Sequence, residues 1–402
     1  MIIRLGEWSL DKIFKIEICY RNMAVDLWLP ATDYQLLDAI DKLGFTQAVK
    51  PTIDIYQYGD GFQNLSEVME KDGLDLFELN ALARRLSQFE LEDMIALHAL
   101  VFTRLEREES NIPIRELLDL AYSTDCCEVH PGVDTYKELG HFYVENGMLP
   151  ELKDVPEAAL PFLNYEEIGR KLSMEECGML APGGYVTQTS DLLEVSKSME
   201  FAPPPNPDYT ILLEISKGHP TNDNEKTVLL SLPAEPAAMD AALTAVGAWD
   251  WMEAGIRCLD CRVPSLIPHI GGDDNVAHIN CLAQVIQEMN DKEVRKFKAV
   301  LEAVEELSVL GATQIADVLD EYLYSPQLIY PEDLARDFLA SSMGERALDT
   351  LSGFVNLFGY GEALMKQQNC VQTEYGMVSR EDGQEPKHTA LDDQGPQAGM
   401  TM

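Results

Sequence analysis

Positive charge is what this sequence has least of. Lys and Arg together number 30 against 69 Asp and Glu, a formal net charge of −39. Such a surface repels phosphates, so direct binding to nucleic acid is not expected. No apolar run reaches the ~18 residues of a membrane span, so no membrane role is expected. The start, Met1-Ile-Ile-Arg-Leu-Gly-Glu7, lacks the long apolar stretch of a secretory leader. The 8 Cys are scattered rather than set at framework spacings. Thiols used this way fit a reducing compartment, and the expected localisation is cytoplasmic.

Enzyme signatures are also missing. The chain has no phosphate loop, no Gly-x-Gly-x-x-Gly, no Gly-x-Ser-x-Gly and no His-Glu-x-x-His. We therefore expect no catalytic residues and no cofactor. Cys258-Leu-Asp-Cys261 is the one Cys-x-x-Cys, and Cys126-Cys127 has the wrong spacing to complete a zinc site with it. The reading is two ordinary thiols on a strand and no metal. His269-Ile-Gly-Gly-Asp-Asp-Asn275 has a turn composition rather than that of a cation site.

What is present is ample apolar material, 46% of 402 residues, enough for two or three domains with real cores. The acid excess is evenly spread. Residues 1–200 hold 37 acids and 17 bases and the remainder 32 and 13, so the halves carry −20 and −19. A Pro-rich break, Phe201-Ala-Pro-Pro-Pro-Asn-Pro207, separates sides that resemble each other. Leu27-Trp-Leu-Pro-Ala31 returns as Leu230-Ser-Leu-Pro-Ala234, each followed by a Gly at the same spacing, Gly44 and Gly247. Leu79-Asn-Ala-Leu-Ala83 returns as Ile279-Asn-Cys-Leu-Ala283, and Gly169-Arg-Lys-Leu172 as Gly361-Glu-Ala-Leu364. Ordered matches at an offset this long indicate domain duplication rather than a solenoid.

Periodicity fills in each copy. Lys15–Tyr20, Ala24–Leu29 and Ile53–Tyr56 read as strands, and Tyr34–Leu43 as a helix capped by Thr32 or Asp33 and stopped by Gly44. Leu79, Leu82, Ala83 and Leu86 share a helix face, as do Met94, Leu97, Leu100 and Val101. Further helices are expected at Ile114–Tyr122, Thr135–Val144, Pro156–Leu163, Tyr165–Leu172, Ile279–Met289 and Lys292–Leu310, with a turn into a strand at Gly183–Thr187. The expected fold class is α+β, helix-rich, with two related copies each built of small α/β modules and a helical bundle. Copy one spans 1–195, with an α/β module at 15–60, a helical module at 74–145 and a second α/β module at 146–195. A linker follows at 196–208, then a diverged copy at 209–378 and a disordered tail at 379–402.

Acid pairs recur along the chain, among them Asp273-Asp274 and Glu305-Glu306. Each alone reads as helix surface; their number carries the information. Duplex DNA bears one charge per ~1.7 Å of axis, so 39 net charges match at most ~65 Å, about 20 base pairs. A compact globule of this length has a radius of gyration near ~21 Å, too small for one face to span that distance. Fixed acids on an extended body can instead satisfy the bases with which a protein grips DNA. In copy one the candidate phosphate surrogates are Glu90, Glu92, Asp93, Glu106, Glu108, Glu109, Asp154, Glu157, Glu166, Glu167, Glu175 and Glu176. For Asp154 and Glu157, charge at a helix N-terminus is an equal explanation.

One segment is more specific. Leu152-Lys-Asp-Val-Pro-Glu-Ala-Ala-Leu-Pro-Phe-Leu-Asn-Tyr165, running on through Glu166-Glu-Ile-Gly-Arg-Lys-Leu172, resembles the antirestriction motif of the ArdA family. Glu138-Leu-Gly-His-Phe-Tyr-Val-Glu145 and Gly183-Gly-Tyr-Val186 are similar to its flanking segments. The resemblance covers about residues 113–190, and more weakly 15–112. It implies an elongated, usually dimeric DNA mimic that blocks the DNA-binding surface of type I restriction-modification complexes, carried on plasmids, transposons or phages. Two copies in one chain depart from the family's usual single copy, and suggest an intrachain pseudo-dimer in place of a homodimer. The second copy reads Met343-Gly-Glu-Arg-Ala-Leu-Asp-Thr-Leu351 where the motif falls, and Val25-Asp-Leu-Trp-Leu-Pro-Ala31 replaces the family's N-terminal pattern. Three alternatives stay open: an inhibitor of another defence complex such as a CRISPR effector, an acidic interaction scaffold, and an enzyme using a carboxylate pair in a concave pocket.

Overall fold

The computed structural model describes residues 12–44, 50–150, 156–218, 226–272, 274–344, 346, 348 and 353–386. The protein is α+β and helix-rich, with small three-stranded antiparallel sheets. The chain divides into two compact units, residues 1–31 with 47–203 and residues 32–46 with 204–402.

Unit 1 begins with β1 (Phe14–Tyr20) and β2 (Met23–Leu29), and β3 (Thr52–Tyr58) joins them in the order β2-β1-β3. Alternation sets the face: Phe14, Ile16 and Ile18 are fully buried while the residues between them are only half-buried. A helical module follows, with α2 (Leu65–Val68), α3 (Leu76–Leu86), α4 (Leu91–Arg107) and α5 (Ile114–Tyr122), counting as α1 the helix Asp33–Leu43 between the strands. Leu79, Leu82, Ala83 and Leu86 of α3 are all buried, as their spacing requires. Next come β4 (Cys127–Pro131), α6 (Tyr136–Glu145), α7 (Tyr165–Glu176), β5 (Met179–Ala181) and β6 (Gly184–Gln188), with sheet order β4-β6-β5. Ile95 and Ala99 of α4 close over this sheet against Ala181 and Val186.

Two glycines let α6 and α7 touch backbone to backbone. A Cβ on Gly169 would lie 1.8 Å from the Tyr136 carbonyl oxygen, and one on Gly140 would lie 1.9 Å from that of Tyr165. Gly169→Ala is therefore expected to push the helices apart and cost about 1–3 kcal/mol, read as a lower urea midpoint with an unchanged slope.

Unit 2 repeats this element order. It holds β7 (Ile211–Lys217), β8 (Val228–Leu232), α8 (Pro236–Val246), β9 (Ala254–Cys261), α9 (Val276–Glu288), α10 (Asp291–Val304), α11 (Val309–Asp317), β10 (Tyr322–Ser325), α12 (Pro331–Met343), α13 (Leu357–Gln368), β11 (Val371–Thr373) and β12 (Gly376–Arg380). Its sheets run β8-β7-β9 and β10-β12-β11, matching unit 1 strand for strand. Details match as well. Asn80 Oδ1 accepts from the Ala31 N–H at 2.7 Å and Asn280 Oδ1 from that of Ala234 at 2.8 Å, and each Asn donates back to the same residue's carbonyl. Glu90 and Asp93 form a capping box on α4, as Asn290 and Glu293 do on α10. A Cβ on Gly361 would meet the Pro331 carbonyl at 1.8 Å, as on Gly169 with Tyr136.

Three expectations change. The helix at 34–43 does form, capped by Thr32 and ended by Gly44 in the left-handed region. It belongs, however, to unit 2 and not to the α/β module at 15–60. The single helix expected over Lys292–Leu310 is two: Glu305 takes φ 61 and ends α10, the Glu306 N–H bonds back to Leu301, and the Ser308 side chain caps α11. The boundary at 378 cuts a strand, because Ser379 and Arg380 pair with Leu323 and Tyr322 in β12. Residues 387–402 of the expected tail lie outside the described residues. The Pro-rich break does coincide with the division between units, and its approach is tied to unit 1. Ser196 donates twice to Asp119, and Phe201 lies under the Arg115 guanidinium.

Candidate interaction surface

The structure distributes the predicted carboxylates over the ends of two helices. Glu90, Glu92 and Asp93 sit at the N-terminus of α4, and Glu106, Glu108 and Glu109 at or just past its C-terminus. Glu166 and Glu167 open α7, and Glu175 and Glu176 close it. All of these are exposed except Asp93. Asp154 lies outside the described residues. Glu157 begins a short 3-10 turn, Glu157–Phe162, in place of the expected α-helix over Pro156–Leu163, and its side chain is not among those described.

Some of these acids have internal work. Asp93 Oδ1 accepts from the Thr124 hydroxyl at 2.8 Å and faces Arg85 at 3.7 Å, and its Oδ2 accepts from the Glu90 N–H. Asp93 is thus a cap and tether, and its place among the phosphate surrogates is corrected accordingly. Glu176 accepts from the hydroxyls of Tyr143 at 2.7 Å and Tyr185 at 3.0 Å. Burial, then that carboxylate, pushes both phenols well up from their ordinary value. Glu108 pairs with Arg104, Glu166 with Arg170 and Glu175 with Lys171. Glu92, Glu106, Glu109 and Glu167 remain exposed without an ion pair among the described residues. Glu92 and Glu106 face the same side of α4, about 21 Å apart along its axis, so α4 alone does not present acids at phosphate pitch. In unit 2, Glu288, Asp317, Asp320 and Asp337 are likewise exposed and unpaired among the described residues.

Some of the few bases are held in ion pairs with the protein's own acids. Arg104 reaches Glu116 at 2.6 Å, and Arg262 reaches Asp291 at 2.9 Å. The densest charge cluster holds α1 to the rest of unit 2, a feature sequence reasoning did not reach. Lys298 Nζ lies 2.7 Å from Asp38 and 3.3 Å from Asp41, and Arg295 lies 2.7 Å from Asp41. Lys42 bridges Asp38 and Glu374, and the Tyr375 hydroxyl donates to Asp38 at 2.9 Å. Burial works against the Asp38 charge, but Lys298 and Lys42 outweigh it and hold the carboxyl below its usual range.

At the N-terminus of α1, Asp260 accepts from the hydroxyls of Thr32 at 2.7 Å and Tyr209 at 2.9 Å and from the Cys261 N–H at 2.9 Å. Tyr34 donates to the Tyr209 carbonyl. Asp260 is completely buried, and burial pushes its carboxyl up to about 6 despite these bonds. An acid–base enzyme needs such a group in a cleft. The nearest cleft, about 250 Å³, is lined by Tyr34, Asn206, Pro207, Asp208, Tyr209, Thr210, Arg262 and Gln287, and Asp260 is not on its wall. Its oxygens are spent on holding α1.

Cys258 and Cys261 are free, buried thiols on β9, and burial raises the pKa of both. Among the described residues no group of three or more His, Cys, Asp or Glu is arranged to hold a metal ion. In the loop at 269–275 the Asp274 carboxylate accepts from the Gly271 N–H, which closes a turn. No helix among the described residues is long and apolar enough to cross a membrane. No protein-family model matches this chain, and neither does any curated protein.

Proposed function

We propose that this chain is a non-enzymatic mimic of duplex DNA. It occupies the basic DNA-binding surface of a defence complex in the cytoplasm, a type I restriction-modification enzyme first among the targets. The observation that supports this most is the outward, uncompensated charge. Both halves carry nearly equal acid excess, and each unit has exposed carboxylates with no ion pair among the described residues. A fixed anionic surface of this kind complements a protein face built to hold phosphates, and the resemblance at residues 113–190 points the same way.

The test is competition on a purified type I complex. The protein should displace duplex DNA, and displacement should weaken steeply with added salt. Changing Glu92, Glu106, Glu109 and Glu167 singly to Gln should alter affinity little, since exposed pairs contribute at most about 1 kcal/mol each. Changing all four together should weaken binding at least about tenfold. Binding that leaves DNA in place would support a scaffold instead, and no binding at low salt would end the restriction-complex reading.

A further inference from the structure

We propose that the outer face of the β2-β1-β3 sheet in unit 1 is a seat for an arginine side chain of a partner protein, with Glu17 and Asp54 taking the guanidinium and the ring of Tyr56 flanking it. This does not rest on DNA mimicry.

The internal repeat supplies the reference. The two sheets share one register. Phe14 pairs with Leu29 and Tyr58 as Ile211 pairs with Leu232 and Cys261, and the third strand of each sheet carries one bulged residue, Tyr56 and Leu259. Glu17 therefore stands where Glu214 does, and alternation puts each on the face opposite Ile16 or Leu213. In unit 2 the third-strand residue across from Glu214 is Arg257, whose Nε and Nη2 lie 2.8 and 2.5 Å from Glu214 Oε2. In unit 1 the residue across from Glu17 on that side is Asp54, and on the other side it is Asp26. Unit 2 thus reads Leu229, Glu214, Arg257 across its strands where unit 1 reads Asp26, Glu17, Asp54. Like charges directly opposite one another weaken a sheet. A guanidinium at the place that Arg257 fills in unit 2 relieves that repulsion.

The surroundings fit a guanidinium. Asp26 is supported by Lys15 at 3.9 Å and by the Tyr56 hydroxyl, which donates to it at 2.9 Å. Glu17 and Asp54 have no ion pair among the described residues, and the Glu17 carboxylate accepts from the Cys19 thiol at 3.5 Å. Asp54 is exposed and Glu17 half-buried. To reach Asp26 on β2 the Tyr56 side chain crosses β1, so its ring stands over the sheet beside the acids, and the residue is 49% exposed. Lys15 Nζ lies 5.1 Å from that ring and 5.9 Å from the ring of Trp28, so both rings already take a cation on this face. At the positions of Tyr56 and Trp28 unit 2 has Leu259 and Ser231, neither of them aromatic. Unit 1 therefore lacks the internal guanidinium and has the rings on which one stacks. A planar guanidinium bridges two carboxylates and stacks at the same time, which an ammonium does not. That selects arginine over lysine.

Titration of the full chain with a Gly-Arg-Gly peptide blocked at both ends tests this. The readout is the indole N–H signals of the 4 Trp in proton–nitrogen correlation spectra, with Trp28→Phe identifying the signal of Trp28. That signal should shift with a dissociation constant in the millimolar range, and a blocked Gly-Lys-Gly peptide should bind at least about fivefold more weakly. Glu17→Gln should weaken the arginine peptide about tenfold. Asp54→Arg installs the arrangement of unit 2. It should raise the urea midpoint by pairing with Glu17, and abolish the shift because the seat is filled from within. Asp72→Arg makes the same charge change at an exposed turn and should do neither. No saturable shift at Trp28, equal affinity for the two peptides, or undiminished binding to the Asp54→Arg variant overturns the proposal. DNA displacement from a restriction complex is a separate readout, so failure of either leaves the other standing.

Discussion

Lys298→Met should lower the stability of this protein at neutral pH by about 3 kcal/mol, the lower end of the range for breaking a buried ion pair. Lys298 is 4% exposed and faces Asp38 and Asp41 together. Removing its ammonium leaves Asp38 buried with Lys42 at 3.3 Å and the Tyr375 hydroxyl at 2.9 Å, so the carboxylate is weakened in its support but not abandoned. That places the loss at the lower end. Asp38→Leu added to Lys298→Met should recover much of it, since removing both charges also removes the cost of burying them. Urea titration measures both. A single-variant loss below about 1 kcal/mol would mean that the cluster behaves as a surface network and does not secure α1. The pH dependence has a definite sign. The Asp38 carboxyl is held below its unfolded value, so its contribution is present above about pH 4 and fades as pH falls further.

Asp260→Asn should act in the other direction and stabilise the protein at pH 7. The Asp260 carboxyl rises to about 6 in the folded state, well above its ordinary carboxylate range, with burial as the main cause. The folded state therefore binds a proton more readily than the unfolded chain. Stability should grow as pH falls from about 7 towards 4 and be lowest where Asp260 is ionised, by up to about 3 kcal/mol. An Asn side chain keeps one oxygen to accept from Thr32 and the Cys261 N–H, its amide NH2 can donate to the Tyr209 hydroxyl oxygen, and it carries no charge to desolvate. The variant's stability should change less over that window, and the two curves should converge near pH 4. Parallel curves would show that Asp260 is no more costly to ionise than a surface acid.

These two residues also show where sequence reading stops. Local order was legible wherever a period and a stop signal coincided. The helix Ile114–Tyr122 forms with the bounds its spacing implies, and Thr32 and Gly44 bracket α1 as their chemistry suggests. What α1 packs against was not legible. Its partners lie more than 220 residues away at Asp260, Arg295, Lys298 and Tyr375, and an acid such as Asp38 reads as surface until its base is found. The same blindness affected the acid pairs. Their exposure on α4 and α7 was legible from helical spacing. The hydroxyls of Thr124, Tyr143 and Tyr185, which occupy Asp93 and Glu176, were not, because they arrive from other elements. The break at Glu305 was missed for a related reason. A non-Gly residue in the left-handed region leaves no sign in composition.

The assignment of α1 to unit 2 bears on any attempt to take the molecule apart. A protease nick within residues 201–207 severs the backbone but leaves Thr32–Leu43 inserted among Asp260, Arg295 and Lys298. The two fragments should therefore travel together through a sizing column until denaturant separates them. Residues 204–402 produced alone would expose two unneutralised cations on α10, and an added peptide covering α1 should bind there and reconstitute the missing wall.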